Sequence, residues 1–364
     1  MSATVLSAPV AAPHAATSAS VSRVMLWVMA ALAPATLFGF WLYGWPAVHL
    51  WWITIAFALL GESLCLRLMR RAALPVLFDG SALLTGWLLA LSLPPWAPWW
   101  IGATGGFFAT VIAKQVFGGL GQNLFNPAMV ARVALLISFP VQMTLWVAPV
   151  PLGSAAAPGF VDGLRITLGA LPGALDAVAS ASVLGHAKTE LSRGVDLLHS
   201  FAVSSAPTFG LDGMRAGSMG ETASLLLAGG GALLLALRII SWHIPLAMLA
   251  AIALPAAILH AADPARYLDA GSHLLAGGTL LGAFFIATDY VTSPNTRAGQ
   301  LLFGAGVGGL TFLIRTWGGY PEGIAFAVLL MNALVPVIDR YLRPRIHGRD
   351  RRGRALDIPD GEGS

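Results

Sequence analysis

Apolar segments of nearly membrane-spanning length recur along the whole chain, separated by short polar or Gly- and Pro-rich stretches. A helix needs about 20 apolar residues to cross the hydrocarbon core of a bilayer. The segments are 24–43, 49–69, 79–93, 99–117, 127–147, 222–240, 244–260, 273–290, 301–315 and 323–341. This pattern predicts an all-α integral membrane protein with about ten transmembrane helices.

Composition and charge agree with a membrane location. Hydrophobic residues make up 57% of the chain and charged residues 10%, whereas a soluble domain carries about 25% charged residues. Seven arginines lie between Arg340 and Arg354 and account for the net charge of +4. Basic residues collect on the cytoplasmic side of membrane helices, so we expect a cytoplasmic tail over 342–364 and no nucleic-acid site. The Ala/Ser/Pro-rich stretch 1–22 is predicted to be a disordered cytoplasmic tail.

One long polar stretch, 148–221, interrupts the apolar segments after the fifth. With both termini cytoplasmic, the helix count places this loop on the periplasmic side of a bacterial inner membrane. The basic residues that support this orientation are Arg67, Arg70, Arg71, Lys114, Arg238 and Arg297. A loop of this length is uncommon unless it is functional.

The two halves of the chain share a sequence pattern at an offset of 200 residues. Pro94 and the pair Gly118-Gly119 are matched by Pro294 and Gly318-Gly319, and a basic residue precedes each glycine pair. The pattern predicts five-helix repeats over 23–147 and 222–341. An odd number of helices in each repeat requires the second copy to be inverted, as in many transporter folds.

In such folds, irregular backbone at corresponding places in the two halves marks the binding site. The first such stretch offers Gln122, Asn123 and Asn126, whose uncharged amides present both donors and acceptors to a planar heterocycle such as an isoalloxazine ring. The alternative for Asn126 is purely structural, because Asn before Pro127 is a common helix cap.

The second stretch contains Asp289 between Thr288 and Thr292, where the eighth predicted helix ends. An ionisable group at membrane depth indicates a functional site by default, and this one is suited to a cation or to a flavin edge. The alternative is a carboxylate in cytoplasmic water. Glu62 and Asp79 are weaker candidates of the same kind, and Glu62 has Arg67 as an alternative partner near a membrane face.

A single cysteine, Cys65, excludes an internal disulfide and an iron–sulfur cluster held by this chain alone. The sequence also lacks a nicotinamide-binding glycine motif after a strand. Any redox cofactor must therefore be organic or belong to another subunit. In the outer loop, the stretch from Asp176 to Ser182 has neither metal-ligand spacing nor a base beside a nucleophile, and by itself it indicates only a Ser/Ala-rich loop or helix start.

Three long runs of residues resemble the RnfD component of the Rnf electron-transport complexes. They are DGSALLTGWLLALSLPP from Asp79, KQVFGGLGQNLFNPAM from Lys114 and ATDYVTSP from Ala287. The resemblance extends over nearly the whole chain after residue 22, and NqrB of the sodium-pumping quinone reductase shares the plan. It implies a membrane subunit of an ion-translocating ferredoxin:NAD oxidoreductase that couples electron transfer to sodium or proton movement. The implied partners are the Rnf components A, B, C, E and G, the membrane lipid and a flavin transferase.

The resemblance also implies two flavins. One is FMN, joined through its phosphate to a hydroxyl in a periplasmic motif, in which Asp176 matches the Asp and Ser182 matches the acceptor. This sequence departs from the motif, since Ala179 and Ser180 replace the usual Ser/Thr and Gly, and Ser182 replaces Thr. The other flavin is a noncovalent riboflavin among the helices, for which we expect surroundings formed by Asn123, Asn126, Asp289 and Thr292.

Two other functions are compatible with the residues alone. Inverted five-helix repeats also build solute or ion pores without redox activity. A purely structural anchor for redox partners is the third alternative. Yellow colour and a fluorescent band on a denaturing gel would distinguish a flavoprotein from a pore.

Overall fold

The computed structural model describes residues 20–169, 179–180, 182–197, 200, 215–343 and 354, and the structural statements below concern these residues. The protein is mainly helical. Its α-helices are α1 Val21–Leu68, α2 Ala73–Leu77, α3 Ser81–Ser92, α4 Trp99–Val111, α5 Pro127–Ser138, α6 Pro140–Thr144, α7 Phe160–Thr167, α8 Val183–Ser192, α9 Met219–Thr222, α10 Ser224–Ala236, α11 His243–Ala262, α12 Ala270–Leu275, α13 Thr279–Leu281, α14 Arg297–Trp317 and α15 Ile324–Tyr341. A 3₁₀ turn covers Gln115–Phe117 and a π-helix covers Gly282–Ile286.

Within the described part of the chain, four helices are long and apolar enough to cross a membrane, namely α1, α11, α14 and α15. Helices α3, α5 and α10 are shorter and also apolar. Helix α1 contains a break at Gly44, where φ is +73° and ψ is −163°. Glycine adopts this backbone conformation at little cost, and the break divides α1 into parts that correspond to the predicted segments 24–43 and 49–69.

The structure divides two segments that the apolar pattern predicts as continuous. Segment 127–147 separates into α5 and α6 at Pro140, because proline lacks the N–H that would continue the helix. Segment 273–290 separates into α12, α13 and the π-helix around Gly277, which has a φ of +63°. A Cβ atom at Gly277 would overlap the guanidinium group of Arg315, so glycine is needed there for two reasons.

Two helix pairs pack in the same way in the two halves of the chain. Gly106 of α4 lies against α1, and a Cβ atom there would overlap the carbonyl oxygen of Thr54. Gly308 of α14 lies against α11, and a Cβ atom there would overlap the carbonyl oxygen of Met248. Small residues allow such close approach of helix backbones in membranes.

Helices α5 and α15 form one contact between the two halves, and α1 and α10 form another. The backbone N–H of Asn126, at the start of α5, donates to Oδ1 of Asn332 in the middle of α15 at 3.1 Å. Arg132, further along α5, pairs with Glu322, which lies just before α15 begins. Asn126, at the start of α5, therefore meets the middle of α15, whereas Arg132, further along α5, meets the residue that precedes α15. The two helices run antiparallel.

The basic residues that we used for orientation fall into two groups. Arg67, Arg70, Arg71, Arg238 and Arg297 are exposed, as a flanking charge must be. Lys114 is fully buried and forms an ion pair inside the bundle, so its use as an orientation signal was wrong.

The segment before Ser182 is tied to the first half by a short antiparallel ladder. Strand β1 is Trp146–Val147 and strand β2 is Ala179–Ser180, with Trp146 opposite Ser180. Helix α8 follows at once, and the Lys188 ammonium donates to the carbonyls of Ile314, Arg315 and Tyr320 at 3.3, 3.3 and 3.0 Å. Because α14 ends at Trp317, these hydrogen bonds link α8 to the C-terminal end of α14, where a positive charge is favourable.

Candidate functional site

A cavity of about 770 Å³ lies where the two irregular stretches approach each other, and we call it the amide cavity. Its apolar walls come from α1, α3, α10 and the π-helix. Its polar lining consists of Ser81, Thr85, Lys114, Asn123, Asn126, Thr288, Asp289 and Tyr290. Apolar walls with a few polar groups are typical of sites for small organic ligands.

Asn126 and Asp289 meet in the wall of the amide cavity. Asn126 Nδ2 donates to Asp289 Oδ2 at 3.4 Å, while its Oδ1 accepts from the backbone N–H of Met129 at 3.2 Å. Asn126 therefore caps α5, as the structural alternative stated, and it also lines the cavity. Asp289 accepts further bonds from the Val291 N–H at 3.2 Å and the Thr292 hydroxyl at 3.3 Å. Its carboxylate is held in place by three donors.

The other two predicted riboflavin contacts take different positions. Asn123 lines the amide cavity, and its Nδ2 donates to the Phe125 carbonyl at 3.0 Å, which orients the amide. Thr292 is buried behind Asp289, outside the lining, and its carbonyl accepts from Asn332 Nδ2 at 2.9 Å. The structure thus brings all four residues together, with three in the cavity wall and Thr292 supporting Asp289.

A buried ion pair stands behind the amide cavity on the side of α3. Lys114 Nζ lies 2.6 Å from Glu62 Oε1 and 2.6 Å from Ser81 Oγ, and the side chains of Glu62 and Lys114 are 0% and 2% exposed. The interpretation of Glu62 as a partner of Arg67 was therefore wrong. Asp79 accepts from the backbone N–H of Ser81 at 2.6 Å and orients the hydroxyl that faces Lys114.

Lys114 is the cationic side chain in the lining of the amide cavity, and its charge is matched by Glu62. Gln115 Nε2 also donates to Glu62 Oε1 at 2.7 Å, so the lysine and the glutamine converge on one carboxylate oxygen. Sequence reasoning did not place Lys114 or Ser81 in the site. The signal was present, because both residues lie within the runs that carry the family resemblance.

Ser182 begins the ten-residue helix α8, outside the main bundle. Its side chain is 4% exposed, and its hydroxyl accepts from the Gly185 N–H at 3.2 Å as a helix N-cap. The positive end of the helix dipole meets the Ser182 oxygen, which is favourable for a phosphate group. Asp176, the other predicted residue of the attachment motif, lies outside the described residues.

Among the described residues, no group of three or more His, Cys, Asp or Glu side chains is arranged to hold a metal ion. The chemistry of the amide cavity is instead that of amides, hydroxyls, one carboxylate and one ammonium group. Such a lining suits a planar, uncharged heterocycle with several hydrogen-bonding atoms. A riboflavin ring system has these properties, so the residues present fit it.

These features define a multi-pass helical membrane protein with a polar cavity between its two halves. Comparison with known proteins identifies the family: the profile of the NQR2, RnfD, RnfE family matches residues 9–348, and the chain belongs to this family.

Several relatives are named as the D component of an ion-translocating oxidoreductase complex. The protein from Halorhodospira halophila is 52% identical over 354 residues, which cover 97% of this chain and 99% of the relative. The protein from Stutzerimonas stutzeri is 55% identical over 342 residues, with coverages of 93% and 95%. The protein from Rhodobacter capsulatus is 51% identical over 307 residues, with coverages of 84% and 85%.

Proposed function

We propose that this chain is the RnfD component of an ion-translocating ferredoxin:NAD oxidoreductase complex and that it carries flavin within the membrane. The name shared by the relatives supports the complex and its reaction class. The observation that carries the flavin proposal is the amide cavity, in which Asn123, Asn126 and Asp289 come together from the two halves of the chain. NADH and ferredoxin then bind to partner subunits, because this chain has one cysteine and no nicotinamide motif.

Riboflavin is the ligand we propose for the amide cavity. When bound, it supplies reversible electron transfer. Asn123 and Asn126 would offer amide hydrogen bonds to its polar atoms, and the apolar residues of the π-helix would contact its ring system. Lys114 places an ammonium group, paired with Glu62, in the cavity wall. Asp289, fixed by three donors, adds the opposite charge, and we propose that it couples reduction to the movement of a sodium ion or proton.

FMN is the second flavin we propose, held by a phosphoester that replaces the hydroxyl proton of Ser182. The start of α8 supports this position, because a phosphoester is an anion and a helix N-terminus stabilises anions. Serine also keeps the hydroxyl that the ester requires. Ser182 is buried against the protein, so we propose that the flavin transferase acts before α8 packs against the end of α14.

The orientation and the repeat complete the proposal. The exposed arginines at the end of α1, after α10 and at the start of α14, together with the basic tail, support cytoplasmic termini in a bacterial inner membrane. The matching glycine contacts of the α1–α4 and α11–α14 pairs, and the antiparallel α5–α15 contact, support two inverted repeats with about ten spans. The loop with Ser182 is then periplasmic, and the Rnf components A, B, C, E and G are the other partners.

The test is flavin content in complex purified from cells that contain the flavin transferase. We expect a fluorescent band of this chain on a denaturing gel, an FMN mass on the peptide that contains Ser182, and riboflavin released on denaturation. Ser182→Ala should lose the band and keep the riboflavin, and Ser182→Thr should keep both. The matched control Ser192→Ala removes an exposed hydroxyl at the other end of α8 and should change nothing.

The competing function is a pore or carrier without redox activity. A colourless, fully assembled complex with neither flavin on this chain would favour it and overturn the flavin proposal. A complex with riboflavin but no FMN mass on the wild-type peptide would show that only the Ser182 assignment is wrong.

A further inference from the structure

A second polar cavity, of about 440 Å³, lies further along the contact between α5 and α15. Five polar side chains line it: Ser92 at the end of α3, Arg132 of α5, Ser218 and Glu221 at α9, and Glu322 before α15. We call it the carboxyl cavity. None of these five residues belongs to the lining of the amide cavity.

The two cavities follow one another along the same helix. Asn126 and Arg132 are separated by six residues, or about 9 Å along α5. Met129 lies between them and is buried. Ile286, the last residue of the π-helix, is also buried and lines the carboxyl cavity, while Asp289 beyond it lines the amide cavity. An apolar layer of Met129 and Ile286 therefore separates the two polar cavities.

Two carboxyl groups meet in the carboxyl cavity. Glu221 is buried, and its Oε1 accepts from Ser218 Oγ at 2.9 Å. Glu221 and Glu322 both line this cavity, and their carboxyl groups interact directly. Glu322 Oε2 pairs with Arg132, whereas Glu322 Oε1 is a buried atom without a donor among the described residues. Two carboxylates in contact cannot both ionise without cost, and a shared proton supplies the missing donor.

The surroundings of this pair are positively charged. Arg132 contacts Glu322 directly, and the guanidinium of Arg315 also faces Glu322. Arg215 donates to the Glu221 carbonyl at 2.6 Å. The titratable or charged groups facing the pair are Tyr43 of α1, Arg132 of α5, Arg215 before α9 and Arg315 of α14. Guanidinium groups repel a metal cation, but they stabilise the carboxylates left when a proton departs.

We propose that Glu221 and Glu322 form a proton-exchanging site. The site holds one proton between two carboxyl oxygens and releases it to water on the proposed periplasmic side as H⁺, which leaves two carboxylates beside Arg132 and Arg315. The Met129–Ile286 layer keeps this proton apart from the amide cavity. The role of the site in ion translocation rests on the proposed function, whereas proton binding itself requires no flavin.

The test is infrared difference spectroscopy of the assembled complex in lipid nanodiscs during a pH titration. We expect the wild-type protein to lose the carbonyl band of one protonated carboxyl group as the pH rises. Glu221→Gln and Glu322→Gln should each abolish that band, because each removes one partner of the shared proton. The matched control is Glu190→Gln, which alters a glutamate paired with the exposed Arg193 and should leave the band unchanged.

Ser218→Ala keeps both carboxyl groups and tests the site if the glutamine variants do not assemble. The Ser218 hydroxyl stabilises the charged form of Glu221, so its loss should move the titration midpoint to higher pH. A band that survives both glutamine variants, or a midpoint unchanged in Ser218→Ala, would overturn the proposal. So would loss of the wild-type band on adding sodium ions at constant pH, because the site would then bind a metal cation.

The same spectra separate this proposal from the flavin proposal. A complex that lacks flavin but shows the band would support the proton site and refute the flavin proposal. A complex that contains flavin but lacks the band would support the flavin proposal and refute the proton site.

Discussion

Removing one partner of the Glu62–Lys114 ion pair should be among the most destabilising single changes in this protein. Both side chains are almost completely buried, and Nζ and Oε1 are 2.6 Å apart. Lys114→Met leaves the Glu62 carboxylate without its counter-charge, and breaking such a pair from one side costs about 3–5 kcal/mol. It also removes the hydrogen bond to Ser81, which contributes about 1 kcal/mol.

The double variant Glu62→Met/Lys114→Met tests the cause. With both charges gone, no buried ion is left unpaired, so the double variant should be less destabilised than Lys114→Met alone. The control is Arg193→Met, which breaks an ion pair whose arginine is 67% exposed and should cost only about 0–1 kcal/mol.

The measurement is the free energy of unfolding in mixed micelles, compared among the variants and the wild type. If Lys114→Met lowers the free energy of unfolding by less than about 1 kcal/mol, the pair behaves like a solvated surface pair, and its burial is refuted. Additive costs in the double variant would show that the two charges do not interact.

Three further predictions follow from the helix contacts, the orientation and the amide cavity. Gly308→Ala should destabilise the protein by about 1–3 kcal/mol in the same unfolding assay, because its Cβ would overlap a backbone oxygen of α11, whereas Gly309→Ala, with open space beside it, should not. A membrane-impermeant thiol reagent applied to intact cells should label Ser205→Cys but not Gly353→Cys, and the reverse pattern would overturn the proposed orientation. Asp289→Asn should reduce ion movement per electron more than it reduces complex assembly; normal pumping in the reconstituted complex would show that Asp289 has no role in coupling.

Much of the helical architecture could be predicted from the sequence, because hydrophobic length is read directly from the chain. The break at Gly44 was implied by separate apolar segments, but the division of 273–290 was not. That division depends on the buried guanidinium of Arg315, which occupies the space where Gly277 would otherwise have a Cβ atom. A contact between residues so distant in sequence leaves no trace in local hydropathy.

The candidate site was predictable to a similar extent. Asn123, Asn126 and Asp289 stand out because polar groups in Gly/Pro-rich backbone at membrane depth are rare and functional. Lys114 was misread as a flanking charge, since hydropathy cannot distinguish a lysine at a helix end in water from one that turns inward to a carboxylate. The sequence suggested Arg67, the nearest basic residue, as the partner of Glu62, whereas its partner in the structure is Lys114, 52 positions away.

Lys114 and Arg315, two of the buried cations, have different partners in the two halves despite the shared pattern. Lys114 and Arg315 each precede a glycine pair and each donate to a hydroxyl, Ser81 in the first half and Thr279 in the second. Lys114 is neutralised by Glu62, so the pair adds no net charge beside the amide cavity. Arg315 instead donates to backbone carbonyls, at 2.7 Å to His273 and 3.2 Å to Ala276, and its charge remains to act on Glu322. In the arrangement we propose, one scaffold therefore positions a paired cation beside the flavin cavity and an unneutralised cation beside the carboxyl pair.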